Sequence, residues 1–262
     1  MGDQWTRDTV AAEILACETE RRDRTPFTDD WAGMTVDDGY AIQDQALARR
    51  LARGETLTGV KLGLTSRAKQ ERMGVSQPLV AWLTDAMILS AGLPVSAARF
   101  IHPRVEPEIV FVMGRTLAGP GVSAATAMAA VEWVLAGAEI IDSRYRDFRF
   151  RAPDVLADNA SSAAYVTGGI LLRPDQIDLA GEAVSVEVAG SIVDSATGAA
   201  ILGHPGEALA LAANELARRG QAIEAGQIVL TGGMTDAYPV PNGAKIAFHF
   251  AHLGSVVLRG GA

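Results

Sequence analysis

Residues 104–112 read RVEPEIVFV, and residues 137–142 read GAEIID. Both are apolar runs of strand-forming residues, and both carry carboxylates where a strand wants aliphatics. Alternate residues of a strand share a face, so Glu106 and Glu108 point the same way. Two carboxylates that close repel unless one is protonated or a cation lies between them. A hard divalent ion with oxygen ligands, Mg²⁺ or Mn²⁺, is the natural bridge. The other reading is a solvated strand end with two exposed acids. Pro107 has no N–H for a ladder, which places an edge or a bulge at this point. Glu139 is a third acid, next to Ile140 and Ile141. It either joins the first two or pairs with Arg144 or Arg146.

Short apolar runs continue on either side: GVKLGL, ILSAG, EIVFVMG, AYVTGGILL, VSVEVAG, QIVLTGG, KIAFHF and SVVL. Gly, Pro and Asp turns separate them. Many short strands without regular helix alternation predict a β-rich mixed core rather than a Rossmann or barrel pattern. Helices are expected over Thr9–Arg22, Thr35–Arg53, Ser123–Ala136 and Glu207–Arg219. In the second, Thr35 and Asp38 form a capping box, and Val36, Tyr40, Leu47 and Leu51 line one face. The expected class is α+β, with a helical N-terminal segment over 1–56 and a β-rich catalytic core over 57–262.

The chain has 262 residues, 48% hydrophobic and 21% charged, which suits a globular fold and argues against disorder. A net charge of −8 argues against nucleic acid as a partner. A single cysteine, Cys17, excludes an internal disulfide framework, and its helical setting argues against a thiol mechanism. No basic start leads into an apolar run, and no stretch approaches a membrane span, so a cytoplasmic protein is expected.

Lys61 lies in GVKLGLTS, among small and apolar residues. Either it grips a substrate oxygen, or it snorkels from a strand end. Gly59 and Gly63 allow close backbone approach beside it. Arg144, Arg146, Arg149 and Arg151 form a local basic run, which either attracts a dianion or pairs on the surface with Asp142 and Asp147. DVLADNASS offers Asp158, Asn159, Ser161 and Ser162 in a small-residue loop. LTGGMT places Gly232, Gly233 and Thr235 after a strand, suited to backbone donors for an anion. The four histidines show no zinc spacing, and His102 reads as structural.

KLGLTSRAK, IHPRVEPEIVFV, EIIDSRYRDF, DVLADNASS, LGHP and AGQIVLTGG together resemble the 2-keto-4-pentenoate hydratase and 4-oxalocrotonate decarboxylase family of the fumarylacetoacetate hydrolase superfamily. The resemblance runs from about the second helix to the C terminus. It implies a divalent metal, Mg²⁺ or Mn²⁺, held by Glu106, Glu108 and Glu139. It implies that Lys61, Ser161 and Ser162, with Leu79 and Thr235, contact a 2-oxo acid. The hydratases carry Asp in the segment after GVSQP; here Leu79 stands there, as in the decarboxylases. One departure is Val80-Ala81, where that branch shows a Tyr-Gly pair.

The resemblance thus implies decarboxylation of 2-oxo-3-hexenedioate (4-oxalocrotonate) in meta-cleavage degradation of aromatic compounds. The alternatives are a 2-hydroxypenta-2,4-dienoate hydratase, or a non-catalytic partner subunit of a hydratase. A third, C–C bond hydrolysis, wants a water-activating base that the sequence does not clearly place. A homo-oligomer is implied, and a complex with a homologous hydratase is admitted.

Overall fold

The computed structural model describes residues 5–75, 77–240, 243 and 245–261; Ser76, in the GVSQP stretch, lies outside them. The helices are α1 (Arg7–Glu20), α2 (Val36–Ala52), α3 (Arg67–Met73), α4 (Ala124–Met128), α5 (Ala152–Ala157) and α6 (Pro205–Arg218). The strands are β1 (Leu57–Gly63), β2 (Leu79–Thr84), β3 (Arg104–Met113), β4 (Val131–Ile141), β5 (Ser162–Thr167) and β6 (Ala183–Val188). They continue as β7 (Ser191–Thr197), β8 (Ile228–Leu230), β9 (Tyr238–Pro239), β10 (Lys245–Phe250) and β11 (Ser255–Arg259). The class is mixed α+β. Among the described residues no helix is long and apolar enough to cross a membrane.

A seven-stranded sheet runs β2-β1-β8-β3-β4-β5, with β9 added to β3. It curls until its edges meet. Ile88, just past β2, bridges Tyr165 on β5, and the Leu89 N–H donates to the Tyr165 carbonyl at 2.8 Å. The Tyr165 hydroxyl lies 3.1 Å from Thr58 Oγ1 on β1. Curling joins the two edges and hides their unpaired backbone groups. Leu83, Val110, Leu135, Tyr165 and Leu230 fill part of the concave side as one buried apolar cluster. The convex side packs on α6 and on a second sheet, β11-β10-β6-β7.

The capping box at α2 is present: Thr35 Oγ1 accepts from the Asp38 N–H at 3.1 Å, and Asp38 accepts from the Thr35 N–H at 2.9 Å. The buried face differs from the expected one. Val36 and Leu51 are exposed, whereas Tyr40, Ile42, Gln43 and Ala46 are buried. Gly39 decides this. A Cβ there would sit 2.6 Å from the Pro153 carbonyl oxygen, so α5 settles on the side that glycine leaves open.

The helix expected over Ser123–Ala136 is corrected. It stops at Met128, and Val131 begins an eleven-residue strand. Val131, Trp133 and Val134 favour strand, and a ladder to β3 from Met113↔Val131 to Arg104↔Ile141 overrides the alanine content. ILSAG is not a strand; Ile88 makes one bridge only. β2, β7 and the two-residue β9 have no counterpart among the expected runs.

Pro107 is not at a bulge, because the register shift in β3 lies at Val112/Met113. It faces a gap instead. β8 pairs only with 110–112 and β9 only with 104–105. The Met234 N–H reaches the Pro107 carbonyl at 3.0 Å across that gap. A residue's N–H and C=O point to one side of a strand, so the missing donor also faces the gap.

Candidate metal centre

The β3/β4 register assembles the centre. Glu106 stands opposite Glu139, and Glu108 opposite Gly137. The three side chains therefore share the concave face of the curled sheet, beside the apolar cluster that includes Val110 and Leu135. Glu108 and Glu139 are fully buried and Glu106 is buried. One carboxylate oxygen from each lies within 4.8 Å of the others. Lys61, also buried, extends from β1 to place Nζ 3.1 Å from Glu139 Oε2.

The turn 231–235 completes the cradle. The Gly232 N–H donates to Glu108 Oε2 at 2.7 Å. The anion served by this glycine turn is the protein's own carboxylate. A Cβ on Gly233 would lie 2.1 Å from Glu106 Oε2, so only glycine leaves room for that carboxylate. Gly233→Ala is expected to displace Glu106 and weaken Mn²⁺ binding about 10- to 100-fold, read by calorimetry, with the circular dichroism spectrum unchanged.

Ser162 Oγ donates to Glu139 Oε1 at 2.7 Å, and Ser161 Oγ to Asp158 Oδ2 at 3.2 Å. Both serines sit at the end of a strained turn, because Asn159, Ala160 and Ser161 all have φ between 49° and 58°. The Asn159 amide holds that turn to β2, accepting from the Trp82 N–H and donating to the Trp82 carbonyl, each at 2.9 Å. Leu79 stands opposite Gly63 in the β1/β2 pairing and Ala81 opposite Lys61, so Leu79 and Lys61 share a face. Thr235 lies farther out, lining a cleft of about 270 Å³ with Ser66 and Gly233.

The basic run divides. Arg144 is buried and ion-paired to Asp158, and its Nη1 donates to the Asp142 carbonyl at 2.7 Å. It is an internal brace, a role the sequence reading missed; its signal was the buried aliphatic run just before it. Burial pushes Asp158 up to about 6, against the pull of Arg144. Asp142 accepts from the N–H groups of Ile101 and His102 at 2.8 and 2.7 Å instead of pairing with arginine on the surface. Arg146 pairs with Asp23 at 3.0 Å, and Arg151 with Asp29 at 3.6 Å. Cys17 is buried, and burial holds its thiol up at about 11, where it stays protonated.

The electrostatics favour a cation. Burial, then the charges of Glu139 and Glu106, push Glu108 well above the carboxylate range. Burial works against charge on Lys61, but Glu139, Glu106 and Glu108 outweigh it and raise its pKa. One ammonium offsets one of three carboxylates. Glu108 Oε1 is buried and accepts no hydrogen bond from any described residue. Three hard oxygen donors, surplus negative charge and an open acceptor fit a divalent cation.

Residues 55–259 match the family described as fumarylacetoacetate (FAA) hydrolase C-terminal. The chain is 40% identical to a 4-oxalocrotonate decarboxylase of Pseudomonas putida over 95% of both proteins. It is 36% identical to a 2-hydroxyhexa-2,4-dienoate hydratase of Comamonas testosteroni over 99% of both. The solved 4-oxalocrotonate decarboxylase of Pseudomonas putida G7, complexed with magnesium and adipate, superposes with a TM-score of 0.95 at 39% identity, covering 97% of each chain. The concave glutamate centre therefore stands in a known setting: the chain belongs to the fumarylacetoacetate hydrolase C-terminal family.

Proposed function

We propose that the chain is a lyase of meta-cleavage degradation that removes CO₂ from 2-oxo-3-hexenedioate, with Mg²⁺ or Mn²⁺ held by Glu106, Glu108 and Glu139. The observation that carries this reading is the convergence of three buried carboxylates on one point, with Lys61 against them. When bound, the ion supplies Lewis acidity to the 2-oxo-acid end of the substrate.

The distal C–C bond breaks, and its electron pair passes through the C3–C4 double bond to the 2-oxo oxygen. The products are CO₂ and a dienolate, which a solvent proton converts to 2-hydroxypenta-2,4-dienoate. Lys61 holds positive charge near the developing oxyanion. Ser162 has committed its proton to Glu139 and orients that ligand, so the substrate contact expected of it becomes indirect. Ser161 and Thr235 are proposed to border the substrate. Residues 57–262 are proposed as the catalytic unit, supported by the helical segment 1–56, in a homo-oligomer that acts alone or with a homologous hydratase.

Leu79 supports decarboxylation over hydration. An apolar wall disfavours the departing carboxylate and needs no proton relay. Leu79→Asp is expected to lower kcat/KM for CO₂ release about tenfold or more, because a carboxylate there repels the dianion's distal carboxylate and weakens its binding. Full retained activity would remove Leu79 from the mechanism.

The deciding experiment is an ultraviolet assay with the six-carbon diacid, with and without Mg²⁺ and chelator, coupled to CO₂ detection. Metal-dependent CO₂ release supports the proposal. Hydration of 2-hydroxypenta-2,4-dienoate without CO₂ release would instead support the second reading, which the 36% identity to a hydratase over nearly full length favours. A non-catalytic partner subunit would do neither.

A further inference from the structure

A second cleft, of about 580 Å³, opens beside the residues already described. Its walls include Met73, Phe150, Arg146, Arg149 and Arg151, together with Phe148. Two separate lines of contact connect it to the glutamate centre. On one side, Met73 and Phe150 pack in the apolar cluster that holds Leu79 and Ala160. The position a Cβ would take on Gly63 is 3.7 Å from both Leu79 and Ala160 Cβ, and 3.9 Å from Lys61 Nζ. On the other side, the Phe148 ring lies against Arg104, two residues before Glu106, with centroid and guanidinium 4.6 Å apart. The apolar wall of the cleft therefore belongs to the same cluster as Leu79 and Ala160, which flank Gly63 near the Lys61 ammonium.

The segment that forms this wall is strained. Asp147 and Phe148 both have φ near 55°, in the left-handed region. Such conformations persist where the surroundings hold them, and they concentrate at ligand sites. The same segment presents the arginines. Arg146 and Arg151 are engaged by Asp23 and Asp29, whereas Arg149 is exposed and, among the described residues, makes no ion pair. Two acids, Asp29 and Asp147, also line the cleft, and Asp23 holds Arg146 from outside it. Among the described residues Arg149 is thus the guanidinium of this wall left without a carboxylate to answer an incoming anion, in a chain of net −8.

We propose that this cleft is the outer chamber through which a dicarboxylate reaches Lys61, and that Arg149 captures the carboxylate remote from the 2-oxo end. The proposal rests on the dicarboxylate reading above. It gives Arg149 a selective task, because a monocarboxylate that turns its single charge inward has nothing left for the guanidinium. It also separates capture from chemistry. The inner layer of Met73, Leu79 and Phe150 offers the far carboxylate no partner, so leaving Arg149 returns that group to apolar surroundings before the bond breaks. Arg149 thus sets affinity for the dianion and not the rate of the bond-breaking step.

The test is calorimetric titration of the full, Mn²⁺-loaded protein with adipate and with hexanoate, which differ by one terminal carboxylate. Arg149→Gln is expected to weaken adipate about five- to tenfold at low salt and to leave hexanoate within about twofold. The difference should shrink at about 0.5 M salt, as expected of an exposed charge. Arg53→Gln, an exposed control at the end of α2, should change neither. With the six-carbon substrate, Arg149→Gln should raise KM and keep kcat within about twofold. Equal weakening of both probes, an unchanged adipate affinity, or a wild type that does not distinguish them would overturn the proposal. Failure of wild-type protein to release CO₂ would count against the lyase reading alone, since the adipate comparison is read from binding; if Mn²⁺ does not bind, the same comparison is made on the metal-free protein, where an unchanged adipate affinity in Arg149→Gln still overturns the proposal.

Discussion

Exchanging Glu108 for glutamine is expected to abolish divalent-ion binding and to lower kcat/KM by about 10³-fold or more. Glu108 is fully buried, and its Oε2 is already held by the Gly232 N–H. Its other oxygen is buried and accepts no hydrogen bond from any described residue. Glutamine keeps the shape and removes one of the three charges, so the loss would report charge and not collapse. The metal-free protein should respond in the opposite direction. Burial and the two neighbouring glutamates raise Glu108 in the folded chain, so the native state binds more protons than the unfolded one. Stability of chelated protein is then highest below the ordinary carboxylate range and falls as pH rises above it. Glu108→Gln should remove that fall, and Mg²⁺ should remove it in the wild type. Thermal unfolding across pH, with and without chelator, measures both. A chelated wild type whose melting temperature is flat from pH 4 to 8 would contradict this account.

Lys61→Met should lower kcat about 10²- to 10³-fold while Mn²⁺ affinity is kept or raised. The two readouts divide because Lys61 competes with a cation for Glu139, at 3.1 Å, but is not itself a ligand. Removing a buried ammonium also leaves a carboxylate without its partner, which costs about 3–5 kcal/mol in the metal-free protein. Bound metal should restore much of that. Lys61→Arg should not rescue activity, since a planar fork is bulkier than the ammonium it replaces in this buried setting beside Gly63 and Glu139. Loss of Mn²⁺ binding in Lys61→Met would show that the lysine shapes the site instead of assisting the reaction.

The carboxylate trio was legible because each acid interrupts an apolar strand, and period two puts Glu106 and Glu108 on one face. What joins Glu139 to them is cross-strand register, which no local pattern states. Residues 131–136 misled for a related reason: alanines on either side suggest helix, and only the ladder to β3 reveals a strand. The Val36 and Leu51 face of α2 failed because a glycine at 39, invisible to a count of apolar residues, decides which side another helix can approach. Ser161 and Ser162 were found as polar loop residues, but their partners, Asp158 and Glu139, come from tertiary placement. For Arg144 the sequence leaves a dianion, a surface acid and Glu139 all open as partners, because the buried one, Asp158, lies fourteen positions away.

Pro107 has a further bearing on ion choice. Its ring fixes the torsion between the two flanking acids, and the carbonyl tie to Met234 clamps the same peptide from outside. The jaw formed by positions 106 and 108 is therefore set by covalent stiffness before any ion arrives. A larger guest such as Ca²⁺ would then be accommodated by turning the glutamate side chains and not by flexing the chain between them.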